Sequence, residues 1–138
     1  MRISNMMICD FAQVREGLLT VCSGGITRVS VPVLPAGLGV MVASLLEFGP
    51  DDVGPIHEIT WRLSHVDGAE TVANGTGAIQ VTEAPSLEPG ELMQVPLVID
   101  LRPIAVLASG QFDFKLRLDG AEDLEIRSLW VSPRLRQD

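Results

Sequence analysis

Residues 110–120 read "GQFDFKLRLDG" and alternate almost without error. Successive side chains of an extended chain take opposite faces. Phe112, Phe114, Leu116 and Leu118 therefore share one side of a strand, and Gln111, Asp113, Lys115 and Arg117 share the other. The apolar side has to meet another apolar layer. The polar side reads as a solvated face. The same period of two recurs in "IHEITWRLSHV" (56–66), where Ile59, Trp61 and Leu63 point in and Glu58, Thr60, Arg62 and Ser64 point out. It recurs again in "LMQVPLVIDL" (92–101), with Met93, Val95, Leu97, Ile99 and Leu101 on one face. Pro96 lies on the opposite face and donates no ladder hydrogen bond, which places this strand at an edge or at a bulge.

Outward from these segments, the remaining chain is also extended. "RISNMMICD" (2–10), "LLTVCSGG" (18–25), "ITRVSVPV" (26–33), "AIQVT" (78–82) and "LEIRSLWVSP" (124–133) are short strands, and "GVMVASLLEF" (39–48) is apolar on both sides, as a strand covered on both faces is. Gly and Pro on both flanks favour strand over buried helix there. Residues 11–16 break the pattern: Asp10 can cap, Gln13 follows three residues later and Gly17 can stop a helix, so one short helical turn is expected. "GPDDVGP" (49–55), "DG" (67–68), "EAPSLEPGE" (83–91) and "DGAED" (119–123) are loops or turns, and the apolar connection "RPIAVLAS" (102–109) is expected to pass over one end of the core. Eight or nine strands with a buried face apiece predict an all-β, two-sheet antiparallel β-sandwich, built from residues 1–138 as a single domain.

Composition narrows the function classes. The 138 residues carry 10 basic and 18 acidic side chains, a net charge of −8, and nine of the ten basic residues are Arg. A scattered basic set under a negative net charge argues against nucleic acid or an anionic membrane as main partner. The apolar fraction of 46% and mean hydropathy of +0.29 suit either a generous core or apolar surface covered by a partner. The first residues lack the pattern of a secretion signal and no apolar run reaches the roughly 20 residues of a bilayer span, so a cytoplasmic location is expected. "NGT" (74–76) is a glycosylation acceptor only in an exported chain.

The two cysteines fit that compartment. With the arms 3–10 and 17–23 paired around a turn at 11–16, Cys9 falls opposite Leu18 and Cys22 opposite Asn5, roughly 14 Å apart along the ladder at strand rise. Both are expected to be reduced thiols and buried, since a disulfide needs Cα atoms within about 7 Å.

Two blocks carry a resemblance. "NMMICDFAQVREGLLTVCSGGITRV" (5–29) and "PSLEPGELMQVPLVIDLRPIAVLASGQFDFKLRLDG" (85–120) together resemble a family of short, uncharacterised bacterial proteins of unknown function. In that family an Asp-containing turn and a "G-x-L" strand follow the first strand, and a "G-x-Y/F-x-F-x-L-x-x-D-G" strand lies near the end. The second block also resembles immunoglobulin-like sandwiches, although Phe112 stands where many such domains have Tyr, so the hydroxyl bond of a tyrosine corner is not available. The resemblance implies no catalytic residues, no substrate and no cofactor.

The residues themselves point the same way. No nucleophile elbow, zinc-protease helix or phosphate loop is present, and no enzyme is expected. His57 and His65 share the Trp61 side at opposite ends of one strand, too far apart for one metal, and read as strand-end residues with a wet tip. The acidic turns are the sharper candidates. Asp51 and Asp52 lie in one loop, Asp67 in a second, and Asp119, Glu122 and Asp123 in a third. Calcium takes six to eight oxygens, so convergence of such loops at one end of a sandwich would suit it, whereas Asp in a turn also serves local hydrogen bonding. "CSGGIT" (22–27) is read as a glycine bulge rather than an anion nest. The reading favoured on these grounds is a non-enzymatic interaction or assembly module without cofactor, acting through an edge strand and an apolar patch. Its partner is another protein or itself, in a possible homodimer; the alternative is a binding domain holding calcium or a small molecule at its end loops.

Overall fold

A computed structural model describes residues 1–68, 71–82, 87–119 and 124–133. The chain is all-β, as the alternation predicts, and holds eleven strands among the described residues: β1 (Arg2–Arg15), β2 (Leu18–Gly24), β3 (Arg28–Val31), β4 (Ala36–Gly37), β5 (Met41–Phe48), β6 (Ile56–His65), β7 (Thr71–Gln80), β8 (Met93–Asp100), β9 (Ala105–Val106), β10 (Gly110–Leu118) and β11 (Leu124–Pro133). They form a four-stranded sheet in the order β2-β1-β5-β8, a five-stranded sheet in the order β3-β11-β10-β6-β7, and a two-stranded ribbon of β4 and β9. The expectation of two purely antiparallel sheets is therefore corrected in two places. A third small sheet exists, because the connections 32–40 and 102–109 pair with each other where they cross: Ala36 faces Val106 and Gly37 faces Ala105. And β3 runs parallel to β11, with Trp130 beside Arg28 and Pro133 beside Val31.

The apolar sides close on one another. Phe112, Phe114, Leu116 and Leu118 from the five-stranded sheet and Met6, Ile8, Val42, Leu46 and Phe48 from the four-stranded sheet belong to one buried cluster. The inner faces of β6 and β10 are in register, with Phe114 opposite Leu63 and Leu116 opposite Trp61. Burial of each such large side chain contributes about 1.5–3 kcal/mol before conformational entropy opposes it. Val106, from the apolar connection, is also buried in this cluster, so that segment does lie against the core.

Strand β5 is buried on both faces, as its composition predicts. Val42, Leu46 and Phe48 enter the main cluster, while Met41 and Ala43 join Cys9 and Ala12 in a second, smaller one. It lies between β1 and β8, whose side chains Met7, Cys9 and Val98 pack beside Met41 and Ala43 on the second face. Strand β8 sits at the sheet edge that Pro96 predicts, with Pro96 opposite Leu45. The inner face is not wholly apolar. Arg127 lies on the inner side of β11 and its Nε donates to the carbonyl of Met6 on β1 at 2.9 Å, while Nη1 reaches Glu125 at 3.0 Å. This cation spans from one sheet to the other.

The helical turn expected at 11–16 does not form. β1 continues to Arg15, and Arg15 pairs with Leu18 across a two-residue turn. Glu16 and Gly17 both have left-handed backbones, φ 54° and 75°, the geometry that matches the twist of a hairpin. Asn or Asp usually takes the first of these positions, and Glu there hides the hairpin from a sequence reading. The one helical turn among the described residues is a 3-10 turn at Pro50–Asp52, where the Gly49 N–H donates to Asp52 Oδ2 at 2.8 Å.

The corrected register moves the cysteines. Cys9 is opposite Gly24 and Cys22 opposite Phe11, a diagonal offset of about 7–8 Å, still beyond disulfide reach. Both thiols are free; Cys9 is buried but Cys22 is exposed, contrary to the expectation of two buried thiols. Burial, with a smaller push from Asp10, raises the Cys9 pKa and keeps that thiol protonated.

Candidate functional site

Two places in the fold gather polar chemistry. The first is at the end of β6. The acidic turns at 49–55 and 119 do meet, but around a histidine. His57 Nδ1 donates to Asp119 Oδ2 at 2.8 Å and Nε2 faces the Asp52 carbonyl oxygen at 2.7 Å. The Asp119 carboxylate also accepts from the Glu58 backbone N–H at 2.6 Å. The ring packs edge-on against Phe48, with centroids 5.2 Å apart. His57 is 7% exposed, so its reading as a wet-tipped strand end is corrected: opposite Ile79 on β7, the strand carries it inward.

Two acceptors, one on each ring nitrogen, favour the doubly protonated imidazolium. The Asp119 hydrogen bond and then the Asp52 carbonyl raise the His57 pKa from its ordinary 6.5. The His57 hydrogen bond in turn holds Asp119 below the usual carboxylate range. At Asp52, burial pushes the carboxyl up, but the Met1 amino group, 2.9 Å away, and the Gly49 N–H outweigh it and the net direction is down.

The signs of these shifts define a stability window. The raised His57 contributes stability that is complete below its unfolded pKa and is lost as pH rises through its folded pKa. The lowered Asp119 and Asp52 contribute stability that is present above their unfolded pKa and is lost as pH falls through their folded values. The urea midpoint is expected to be highest between roughly pH 4 and 6.5 and to decline on the alkaline side. Replacing His57 with Gln is expected to flatten that alkaline decline, read as urea midpoint against pH.

Of the acidic candidates for a metal, the Asp119 carboxylate is thus engaged by His57, that of Asp52 by the Met1 amino group and the Gly49 N–H, and Asp51 is exposed in the 3-10 turn. Glu122 and Asp123 lie outside the described residues. Among the described residues no group of three or more His, Cys, Asp or Glu side chains is arranged to hold a metal ion. His65, at the other end of β6, faces the Ser109 carbonyl and accepts from the Gly68 N–H at 3.2 Å. It packs edge-on against Phe112.

The second place is the outer face of the five-stranded sheet, which the sequence reading leaves as merely solvated. Cross-strand pairing aligns Ile126, Lys115, Arg62 and Asn74 in one row, and Leu124, Arg117, Thr60 and Thr76 in the next. All of these but Ile126, together with Trp61 and Gly75, line an open groove of about 450 Å³. Three of the chain's ten basic residues therefore share one shallow concavity. Each is visible in the sequence as the polar partner of an amphipathic strand, but their convergence depends on β10 pairing with β6, which periodicity does not specify. Beside the groove, β11 leaves Leu124, Ile126 and Trp130 exposed on the same face.

No helix among the described residues is long and apolar enough to cross a membrane. The model of a protein family described as a family of unknown function, DUF6941, matches residues 4–128. No curated protein and no solved structure matches the chain.

Proposed function

The chain belongs to the DUF6941 family, whose function is unknown, and from its geometry we propose that it is a non-catalytic interaction module that pairs with a second copy of itself along β7. The observation that supports this reading is the state of that strand. β7 ends the five-stranded sheet and pairs only with β6 among the described residues. Its ten residues, "TVANGTGAIQ", contain neither charge nor proline. Edge strands that must stay single are ordinarily blunted by Lys, Pro or strong bends. The opposite sheet shows such a device at β8, where Pro96 occupies the edge. β2 is uncharged too, but it is shorter and has a left-handed backbone at Ser23.

Antiparallel pairing of β7 with its symmetry mate is self-complementary, as a twofold interface requires, and would join two five-stranded sheets into one. Its affinity would come from main-chain hydrogen bonds, the mode of strand addition. Sedimentation equilibrium tests it. The expected result is a concentration-dependent dimer, and Ala78→Lys, at an exposed position of β7, is expected to shift it to monomer with unchanged circular dichroism. A chain that stays monomeric at every concentration, or a dimer indifferent to Ala78→Lys, contradicts the proposal.

A further inference from the structure

We propose that the groove on the outer face of β6, β7 and β10 binds a small, multiply charged oxyanion, through side chains on the sheet face rather than through the backbone edge of β7. The first support is electrostatic. Lys115 stands directly opposite Arg62, and Arg117 lies two residues along the same strand face. Directly opposite residues have Cβ atoms about 4.5–5.5 Å apart and next-but-one residues about 7 Å, so three cations crowd one another on a half-solvated surface. Like charges placed opposite each other on a sheet are destabilising.

The second support is the lack of internal compensation. Among the described residues, the side chains of Arg62, Lys115 and Arg117 take part in no hydrogen bond or ion pair, whereas Arg102 is held by Asp100 and Arg127 by Glu125. Of the flanking carboxylates, Asp113 accepts from the Ser128 hydroxyl at 2.8 Å and Asp119 is held by His57, and neither forms an ion pair with the three cations. Glu58, on the same outward side of β6, lies two positions beyond Thr60 and faces Ala78. A chain with net charge −8 that keeps together three cations with no ion pair among the described residues retains a repulsion which a bound anion would reduce.

The third support is shape and chemistry. Asn74 and Thr76 add neutral hydrogen-bonding groups on one wall and Leu124 an apolar rim on the other. A concavity of this volume is in the range of small-molecule sites. Two guanidinium forks with an ammonium between them match the oxygens of phosphoryl or carboxylate groups, which Arg engages two at a time. Three cations match a ligand with two or more negative groups rather than a single chloride-like charge.

Isothermal titration calorimetry with pyrophosphate and with citrate tests the proposal. The expected result is one-site binding of at least one of them, weakened by added salt and weakened tenfold or more by Lys115→Gln and by the double variant Arg62→Gln/Arg117→Gln. Binding of pyrophosphate alone assigns a phosphoryl ligand, and binding of citrate alone a carboxylate ligand. Arg102→Gln, on a cation already paired, is expected to change neither. A second readout needs no ligand: Lys115→Gln is expected to raise the Tm of the free protein at low ionic strength, because it relieves the repulsion. No heat with either anion, or binding that survives the double variant, overturns the proposal. So does a Lys115→Gln variant whose Tm falls.

Discussion

Phe114→Ala is expected to destabilise the protein by about 3–5 kcal/mol, the cost of removing a large ring from a packed interior. Phe114 is wholly buried, in the middle of the alternating strand β10, and lies within the cluster to which both large sheets contribute. Its ring also stacks on Trp61, with centroids 5.8 Å apart and planes at 26°, so truncation removes an aromatic contact together with buried area. Urea unfolding measures the loss as a lower midpoint at unchanged slope. The neighbouring change Arg117→Ala, three positions on and on the outer face, is expected to stay within about 0.5 kcal/mol. A Phe114→Ala loss under about 1 kcal/mol would contradict an interior position.

The second large effect concerns β7. A Cβ added at Gly75 would sit 2.4 Å from Trp61 Nε1 and 2.6 Å from Cε2. The indole cannot swing aside freely, because its far face rests against Phe114. Gly75→Ala is therefore expected to cost about 1–3 kcal/mol as overpacking. Backbone strain makes no contribution, since Gly75 is not among the positive-φ glycines. The check is a double-mutant cycle: in a Trp61→Leu background the cost of Gly75→Ala is expected to vanish, which isolates the clash from any general effect on an edge strand. A penalty that persists without the indole contradicts this account of the glycine.

The sequence makes the faces legible and leaves the neighbours dark. Which residues of β6, β8 and β10 point inward follows from a period of two, and Pro96 marks an edge because proline lacks an N–H. The double-sided apolar run at 39–48 marks a central strand for the same local reason. The register of the first hairpin is different. Glu16 occupies a left-handed position that Asn or Asp would advertise, so local pattern favours a helical turn at 11–16, and the cysteine geometry read from it inherits that error. The parallel contact of β3 with β11 and the pairing of β4 with β9 are long-range, and local pattern does not encode them.

The candidate sites divide along the same line. The acidic turns were visible as Asp-rich loops, but their convergence on His57 required the fold. There the group that satisfies Asp119 is the protein's own His57. On the outer face of the sheet the sequence named Arg62, Lys115 and Arg117 individually as outward residues of two strands. Only the adjacency of β6 and β10 makes them a cluster, and that adjacency turns a solvated face into a charged groove. The negative net charge is an argument against an extended polyanion as partner. A local cluster of three cations with no ion pair among the described residues is a different quantity from a net charge, and a small ligand senses the local one.

The claim that the polar side of β10 is a working surface is tested most directly by following the arginine Nε–Hε signals by nuclear magnetic resonance during titration with pyrophosphate. The expected result is progressive, saturable movement of the Arg62 and Arg117 signals, with those of Arg102 and Arg127, already engaged by Asp100 and Glu125, remaining in place. Uniform drift of all the arginine signals, or no movement at Arg62 and Arg117, would contradict it.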